Sequence, residues 1–294
     1  MLAPTPAKIR CRQITETDLA AVAKLLAEGF PRRKAAHWKT GLDRMQGRKV
    51  PENSPQFGYC LDADGVLVGV ILMIASERLI EGATGNFTNL ASWYVKPEFR
   101  VYAHQLAAMA LKNRATSYTN VTAAPSTWTV VENQGYRKYC NGVFFAAAAL
   151  HSPQAGVVIS SFSDVETRAD VRNLPDFDLF KRHAQWGCTV IIAQADGKLA
   201  GFIFRRFAMR SGLIKLPAMF VIHAPSQTEL LRFAGNFGRH FATKAAPLLV
   251  FDANGPIPGL SGFYTERRGR KFVKGPHQPQ LCDLADTEFA IFEI

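Results

Sequence analysis

A short motif occurs twice in the chain, and this repetition constrains the fold more than any other feature of the sequence. Residues 63–69 read ADGVLVG and residues 195–201 read ADGKLAG, so five of the seven positions match at an offset of 132. Both copies place Asp-Gly between apolar segments, which is the pattern of a β-hairpin whose Gly takes a positive φ. Each half of the chain is therefore predicted to contain a hairpin at an equivalent place.

A second pair of segments keeps almost the same spacing. Residues 136–142 read YRKYCNG and residues 269–275 read GRKFVKG, so Arg, Lys and Gly coincide at an offset of 133. Two separate matches at nearly one offset indicate an internal duplication. The segment HSPQAG at 151–156, which contains Pro and Gly, is the predicted linker, and it gives predicted domains at 8–150 and 157–294.

The order of elements is similar in the two halves. Each half reads as a strand and helix, a hairpin, a strand that turns into a helix, a further strand and helix, and a closing strand or hairpin. This order predicts an α/β (α+β) fold of two tandem domains, each with a mixed central sheet flanked by helices. The chain has 294 residues, of which 48% are apolar and 20% charged, so each domain can bury a core.

Several classes of protein are not expected from the composition. No run of about 18 apolar residues occurs, and the start lacks a basic segment followed by an apolar run, so we expect no membrane span, no secretory signal and a cytoplasmic protein. The five cysteines are scattered without metal-ligand spacing, which favours free thiols and no metal site. The net charge of +11 attracts anions, but no nucleic-acid-binding motif or aromatic–basic platform is present, so nucleic acid is not an expected partner.

The motif order resembles the acyltransferases of the GCN5-related N-acetyltransferase family. In the first half the resemblance rests on IRCRQITETDLAAVAKLLAEGF at 9–30, DADGVLVGVILM at 62–73, ASWYVKPEFR at 91–100 and WTVVENQGYRKY at 128–139. The second half resembles a more divergent copy, through ADGKLAGFIF at 195–204, GFYTERRGRKF at 262–272 and LADTEFAIFEI at 284–294.

The resemblance implies transfer of an acetyl or other acyl group from acyl-CoA to an amine of a small molecule or peptide. The alternatives are a non-catalytic regulator that binds acyl-CoA and a basic interaction module without a cofactor. The acceptor, the length of the acyl chain and the oligomeric state stay open.

The resemblance also implies a cofactor site in the first half. The strand end Trp93, Tyr94 and Val95 matches the strand that pairs with the pantetheine arm. The turn that follows matches the pyrophosphate loop and leads into a helix expected to start near Arg100. The residues that match the loop are Arg100, Val101, Tyr102, Ala103, His104 and Gln105. Ala103 and Gln105 replace the usual glycines, but a helix N-terminus offers free N–H groups without them. In the second half Thr228 replaces the Arg and Glu229 adds a negative charge, so no CoA binding is expected there.

The usual catalytic positions of the family are changed in this chain. Asn89 stands at the position that matches the Glu base and Val131 at the one that matches the Tyr acid, and neither residue transfers a proton. The catalytic groups are therefore left unidentified, with Asn89, Glu81, Tyr118 and Asn120 as candidates. His37 and Trp38, expected in a loop after the first helix, are candidates for lining the acceptor side.

Overall fold

The computed structural model describes residues 8–80, 83–211 and 214–293. The strands in these residues are β1 Ile9–Gln13, β2 Gly58–Ala63, β3 Val66–Ile80, β4 Ala83–Val95, β5 Thr116–Asn120, β6 Arg137–Cys140, β7 Gly142–Ala146, β8 Val158–Ser161, β9 Thr189–Ala195, β10 Lys198–Ser211, β11 Ile214–His223, β12 Leu248–Ala253, β13 Gly262–Thr265 and β14 Lys271–Lys274.

Ten α-helices are present in the same residues. They are α1 Leu19–Gly29, α2 Ala35–Gln46, α3 Ala103–Ala110, α4 Trp128–Asn133, α5 Phe162–Val165, α6 Ala169–Arg172, α7 Phe177–Gln185, α8 Gln227–Arg232, α9 Ala234–Ala242 and α10 Glu288–Ile291. Short 3₁₀ helices cover Glu16–Asp18, Pro97–Tyr102, Pro125–Thr127 and Ala148–Leu150. None of the helices described here is long and apolar enough to cross a membrane. The predicted α/β class, with mixed sheets flanked by helices, is confirmed.

The chain divides into two compact units. The first unit contains residues 1–120, 273–278 and 286–294, and the second contains residues 121–272 and 279–285. These bounds differ from the predicted 8–150 and 157–294 because β7 pairs with β12 in the second unit, while the last residues return to the first. The predicted domains describe repeated halves of the sequence, and that duplication stays a prediction.

The first unit is built on strands in the order β1-β2-β3-β4-β5. Neighbours from β1 to β4 are antiparallel, and β4 and β5 are parallel. Adjacent residues of β4 point to opposite faces. Tyr94 lies against Gly29 at the end of α1, whereas Val95 lies beside Gly69 together with Leu106 of α3. Helices α1 and α3 therefore cover opposite faces of this sheet.

The end of the chain belongs to the first unit and packs along α2. Arg44 donates to the carbonyl of Ile291 at 3.0 Å and pairs with Glu293 at 2.6 Å. A side chain at Gly41 would meet the ring of Phe292 at 2.1 Å, so only Gly allows this approach. Residues 286–293 are therefore an integral part of the α1–α2 face.

The second unit orders its strands β8-β9-β10-β11-β12-β7-β13. Its core is rich in phenylalanine: the ring of Phe237 lies 4.8 Å from Phe202 and 5.1 Å from Phe204. Edge-to-face contacts of this kind add to the hydrophobic stabilisation.

Both predicted hairpins are confirmed. The β2–β3 turn has positive φ at Asp64 (49°) and Gly65 (90°), and the β9–β10 turn has positive φ at Asp196 (51°) and Gly197 (72°). Two consecutive positive φ values are typical of the type I′ turn that matches the twist of the strands.

A buried ion pair in the second unit was not predicted. The side chain of Lys271 is fully buried, and its Nζ lies 2.6 Å from Asp252 Oδ1. Each side chain is 1% exposed. Removal of one partner from such a pair leaves an uncompensated buried charge, which is strongly destabilising.

We expect Lys271→Met to lower the free energy of unfolding by about 3–5 kcal/mol, because Asp252 would then be buried without its cation. The matched control is Lys39→Met, since Lys39 pairs with Asp43 at 2.8 Å on the surface, where such pairs contribute less than about 1 kcal/mol. Urea denaturation of the two variants measures both effects. A Lys271→Met protein as stable as the Lys39→Met protein would contradict a structural role for the buried pair.

Candidate functional site

Strand β4 has a free edge over its last residues. It pairs with β3 from Ala83 to Val95, but its parallel pairing with β5 covers only Asn86–Asn89. From Leu90 onward no described residue bonds to the backbone on the edge that faced β5. Alternate N–H and C=O groups of Leu90–Val95 therefore point away from the sheet without a strand partner, and an extended ligand could pair with them.

A β-bulge lies within the open part of the strand. Leu72 is opposite Ala91 and Ile71 is opposite Trp93, so Ser92 is the extra residue. Ser92 has a φ of 38°, which is uncommon for a residue other than Gly. A bulge bends its strand and increases the local twist. The bulge thus accounts for the divergence of β4 from β5.

The predicted strand residues lie at this edge. Val95 ends β4, as predicted. Trp93 is 42% exposed, and Tyr94 is half-buried against α1. The structure therefore brings Trp93, Tyr94 and Val95 onto the part of β4 that does not pair with β5, where the ring of Trp93 is accessible.

The predicted phosphate turn is helical. A 3₁₀ helix begins at Pro97, three residues before the expected start near Arg100, and α3 continues it from Ala103. The N–H of Ala103 already bonds to the carbonyl of Arg100, and Nδ1 of His104 donates to the carbonyl of Val101 at 2.7 Å. Residues 100–105 thus form part of a helical run and offer fewer free amides than an open loop would.

The exposed charges of this turn come from two side chains. Arg100 is exposed and makes no ion pair or hydrogen bond with its guanidinium in the described chain, while Glu98 is exposed in the first turn. Val101 is also exposed, whereas Tyr102, Ala103 and Gln105 are half-buried. Arg100 is therefore the cation of the turn that is available to an anion.

Asn89 has a structural environment. It is 2% exposed, its amide donates to the carbonyl of Thr119 at 3.2 Å, and its Oδ1 accepts from the N–H of Glu288 at 3.2 Å. Both ends of its amide are used, so Asn89 joins β4 to β5 and to α10 at the point where their pairing ends.

Tyr118 and Asn120, two of the other catalytic candidates, differ in their hydrogen bonding. The hydroxyl of Tyr118 donates to the carbonyl of Asn113 at 3.1 Å, and burial raises its pKa, so it closes the loop before β5. Asn120 is the last residue of β5, half-buried, and its side chain makes no hydrogen bond with a described residue. Glu81 lies outside the described residues. The structure therefore identifies no catalytic acid or base among Asn89, Tyr118 and Asn120.

An aromatic cluster joins the free strand to α1 and α2. Phe30 lies 6.4 Å from Tyr94 and 5.5 Å from Trp38, and Trp38 lies 5.5 Å from Phe292. Trp38 and His37 are on α2 and not in the expected loop. The apolar spacing Trp38, Leu42 and Met45, all buried, is the signal for this helix that the sequence contained.

Two ring nitrogens of this cluster have no partner. Nε1 of Trp38 and Nε2 of His37 are buried and make no hydrogen bond with the described chain. Burial and the nearby Arg33 lower the pKa of His37, so its imidazole is neutral at pH 7. A buried donor without an acceptor costs free energy, so Nε1 of Trp38 is an unsatisfied donor within the described chain.

The second unit fills its own equivalent edge. Strand β11 pairs in parallel with β12 only over Ala218–Phe220. Beyond this point, Leu284 donates to the carbonyl of Ile222 at 2.7 Å and Ala224 donates to that of Cys282 at 3.0 Å. The segment 282–284 thus occupies the edge that is open on β4.

Glu229 and Arg232, beside this edge of the second unit, are already paired. A pocket of about 360 Å³ there is lined by Glu229 and Arg232, whose side chains lie 3.7 Å apart, and Arg232 also pairs with Asp196 at 2.6 Å. That the second half does not bind CoA stays a prediction.

The fold is that of solved GCN5-related N-acetyltransferases. The enzyme from Anabaena variabilis aligns with a TM-score of 0.59 at 11% identity, over 90% of this chain and 72% of its own. The one from Kribbella flavida aligns with a TM-score of 0.56 at 14% identity, over 91% of this chain and 71% of its own. No protein-family model and no curated protein matches the sequence at a significant level. The resemblance of fold expected from the sequence is confirmed.

The strain at the bulge can be measured. We expect Ser92→Val to lower the free energy of unfolding by about 1–2 kcal/mol, because a β-branched residue is strongly disfavoured at positive φ. Ser92→Gly should lower it by less than about 0.5 kcal/mol, because Gly takes this φ without steric cost. Chemical denaturation compares the variants. Equal losses would show that position 92 does not hold the left-handed conformation.

Proposed function

We propose that the chain is an acyltransferase that binds acyl-CoA along the free edge of β4 and transfers the acyl group to an amine. The open edge of Leu90–Val95 is the observation that carries this proposal. The pantetheine arm has two amide groups, and it can pair with such an edge as an added strand does. Acetyl-CoA is the simplest donor of this class.

The bulge is the proposed place of the reaction. An outward N–H group close to Ser92 can donate to the thioester oxygen and stabilise the negative charge that develops there. The amine nitrogen attacks the carbonyl carbon, the carbon–sulfur bond breaks, and the thiol leaves with the proton that the amine has lost. Holding the two reactants together supplies much of the rate enhancement.

Arg100 is proposed to bind the pyrophosphate. The amides of residues 100–105 lie within a helical run, so the side chain contributes more than it would beside an open glycine loop. The guanidinium is exposed and unpaired in the described chain. A guanidinium binds phosphate oxygens through charge-assisted hydrogen bonds.

Binding without turnover is the second candidate function, and the environment of Asn89 favours it. An amide replaces the carboxylate base of the family, and both of its ends are committed to structural hydrogen bonds. A regulator that senses acyl-CoA needs only the free edge and Arg100. Release of free thiol from acetyl-CoA in the presence of amines separates the two functions.

We expect Arg100→Ala to weaken the binding of CoA and acetyl-CoA by about 1.5–3 kcal/mol, the scale of a hydrogen bond to a charged group. Arg10→Ala is the matched control, because Arg10 is exposed on β1, three strands from β4. Calorimetric titration of both variants and the wild type gives the affinities.

Binding by the wild type, weakened only by Arg100→Ala, is the expected result. No binding of either thioester or thiol to the wild type would remove the proposed function. Equal affinities in the wild type and both variants would show that Arg100 does not bind the pyrophosphate.

A further inference from the structure

The connection between α1 and α2 contains three unpaired cations. Arg32, Arg33 and Lys34 follow Phe30 and make no ion pair in the described chain. The nearest carboxylates in the sequence are already paired: Glu28 lies 3.2 Å from Lys96, and Asp43 lies 2.8 Å from Lys39. The connection therefore keeps an uncompensated positive charge.

This connection begins at the strand with the free edge. A Cβ at Gly29 would lie 2.3 Å from the ring of Tyr94, so the end of α1 is in direct contact with β4 two residues beyond Ser92. The ring of Phe30 also lies near Tyr94. The connection that carries the cations therefore begins at residues that contact Tyr94, two positions after Ser92, where the reaction is proposed to occur.

The same place offers an unused donor. Trp38 is 2% exposed, and its Nε1 has no partner. An indole N–H can only donate a hydrogen bond. Unpaired cations and an unsatisfied donor together select a ligand that is rich in acceptors and negatively charged.

The α1–α2 connection is separate from the proposed pyrophosphate site. Tyr94 and α1 lie on one face of the sheet, whereas α3, the helix that continues the Arg100 turn, lies on the other. The phosphates of the acyl donor therefore account for Arg100 and leave Arg32, Arg33 and Lys34 to a second anion.

We propose that the amine acceptor carries an anionic group, a carboxylate or phosphate, which Arg32, Arg33 and Lys34 bind beside Trp38. This inference rests on the proposed function and names the class of its acceptor. Arg side chains match carboxylate and phosphate oxygens in a bidentate manner. Amines whose remaining group is uncharged, called neutral amines below, lack this interaction, as do amines with a second cationic group, which the local positive charge also repels.

The test compares amines that differ only in the anionic group. β-Alanine is paired with propylamine, and phosphoethanolamine with ethanolamine, while putrescine serves as the cationic amine; thiol release from acetyl-CoA gives kcat/KM. We expect at least one anionic amine to exceed its neutral partner by about tenfold or more, the scale of a charge-assisted contact. In the variant with Arg32→Gln, Arg33→Gln and Lys34→Gln, this ratio should fall towards one, mainly through KM.

The control removes equal charge elsewhere in the first unit, at exposed residues without ion pairs: Lys8→Gln, Arg10→Gln and Lys24→Gln. Its ratio should stay that of the wild type. Neutral or cationic amines as good as the anionic ones, or a ratio lost equally in both triple variants, would overturn the proposal. A wild-type protein that does not bind acetyl-CoA would instead contradict the proposed function itself.

A binding measurement covers the case in which no amine is turned over. The indole N–H signal of Trp38, assigned by its loss in Trp38→Phe, should shift when β-alanine or phosphoethanolamine is titrated into the protein saturated with CoA. The neutral partners should leave it in place. A signal that no anionic amine moves would overturn the proposal while CoA binding stands.

Discussion

The divergence of β4 from β5 is the constraint on which the proposed site depends. Parallel pairing stops at Asn89, where the amide of that residue bonds across to Thr119 and accepts from Glu288. The bulge at Ser92 then turns the strand and leaves its outer edge open. An open strand edge is exposed to unwanted pairing, so proteins usually shorten or cover it. A six-residue edge left free in the middle of a sheet is most simply explained by a ligand that completes it.

The second unit shows how the same edge can be covered by the chain itself. Its strand β11 also bulges, since Ile203 is opposite His223 and Phe204 is opposite Val221. There the segment 282–284 supplies the missing hydrogen bonds. The two units therefore differ at this edge: the second satisfies its own backbone, whereas the first leaves an edge open beside Arg100, which is unpaired in the described chain. A second polar region lies on the face of the first sheet opposite α3. It consists of the uncompensated cations of the α1–α2 connection and Nε1 of Trp38.

Local patterns were predictable from the sequence, and long-range ones were not. The turns at Asp64-Gly65 and Asp196-Gly197 and the strand end at Val95 follow from residues adjacent in the chain. Pro97 was a readable signal for a helix start, because Pro suits the first helical turn. The bulge at Ser92 was not predictable, because the residue with positive φ there is not Gly. The pairing of segment 282–284 with β11 was not predictable either, because it joins residues some 60 positions apart. Lys271 reads as surface because its burial depends on Asp252, a partner on another strand.

Hydrogen exchange of the β4 backbone, with and without acetyl-CoA, tests the central claim most directly. Outward amides between Leu90 and Val95 have no acceptor in the described chain, so they should exchange rapidly in the free protein and become protected when the ligand is bound. The amide of Ala224, which follows β11 and donates to the carbonyl of Cys282, should not change, because segment 282–284 already covers that edge. Protection that appears elsewhere but leaves residues 90–95 unchanged would show that acyl-CoA does not bind as an added strand, and would contradict the account.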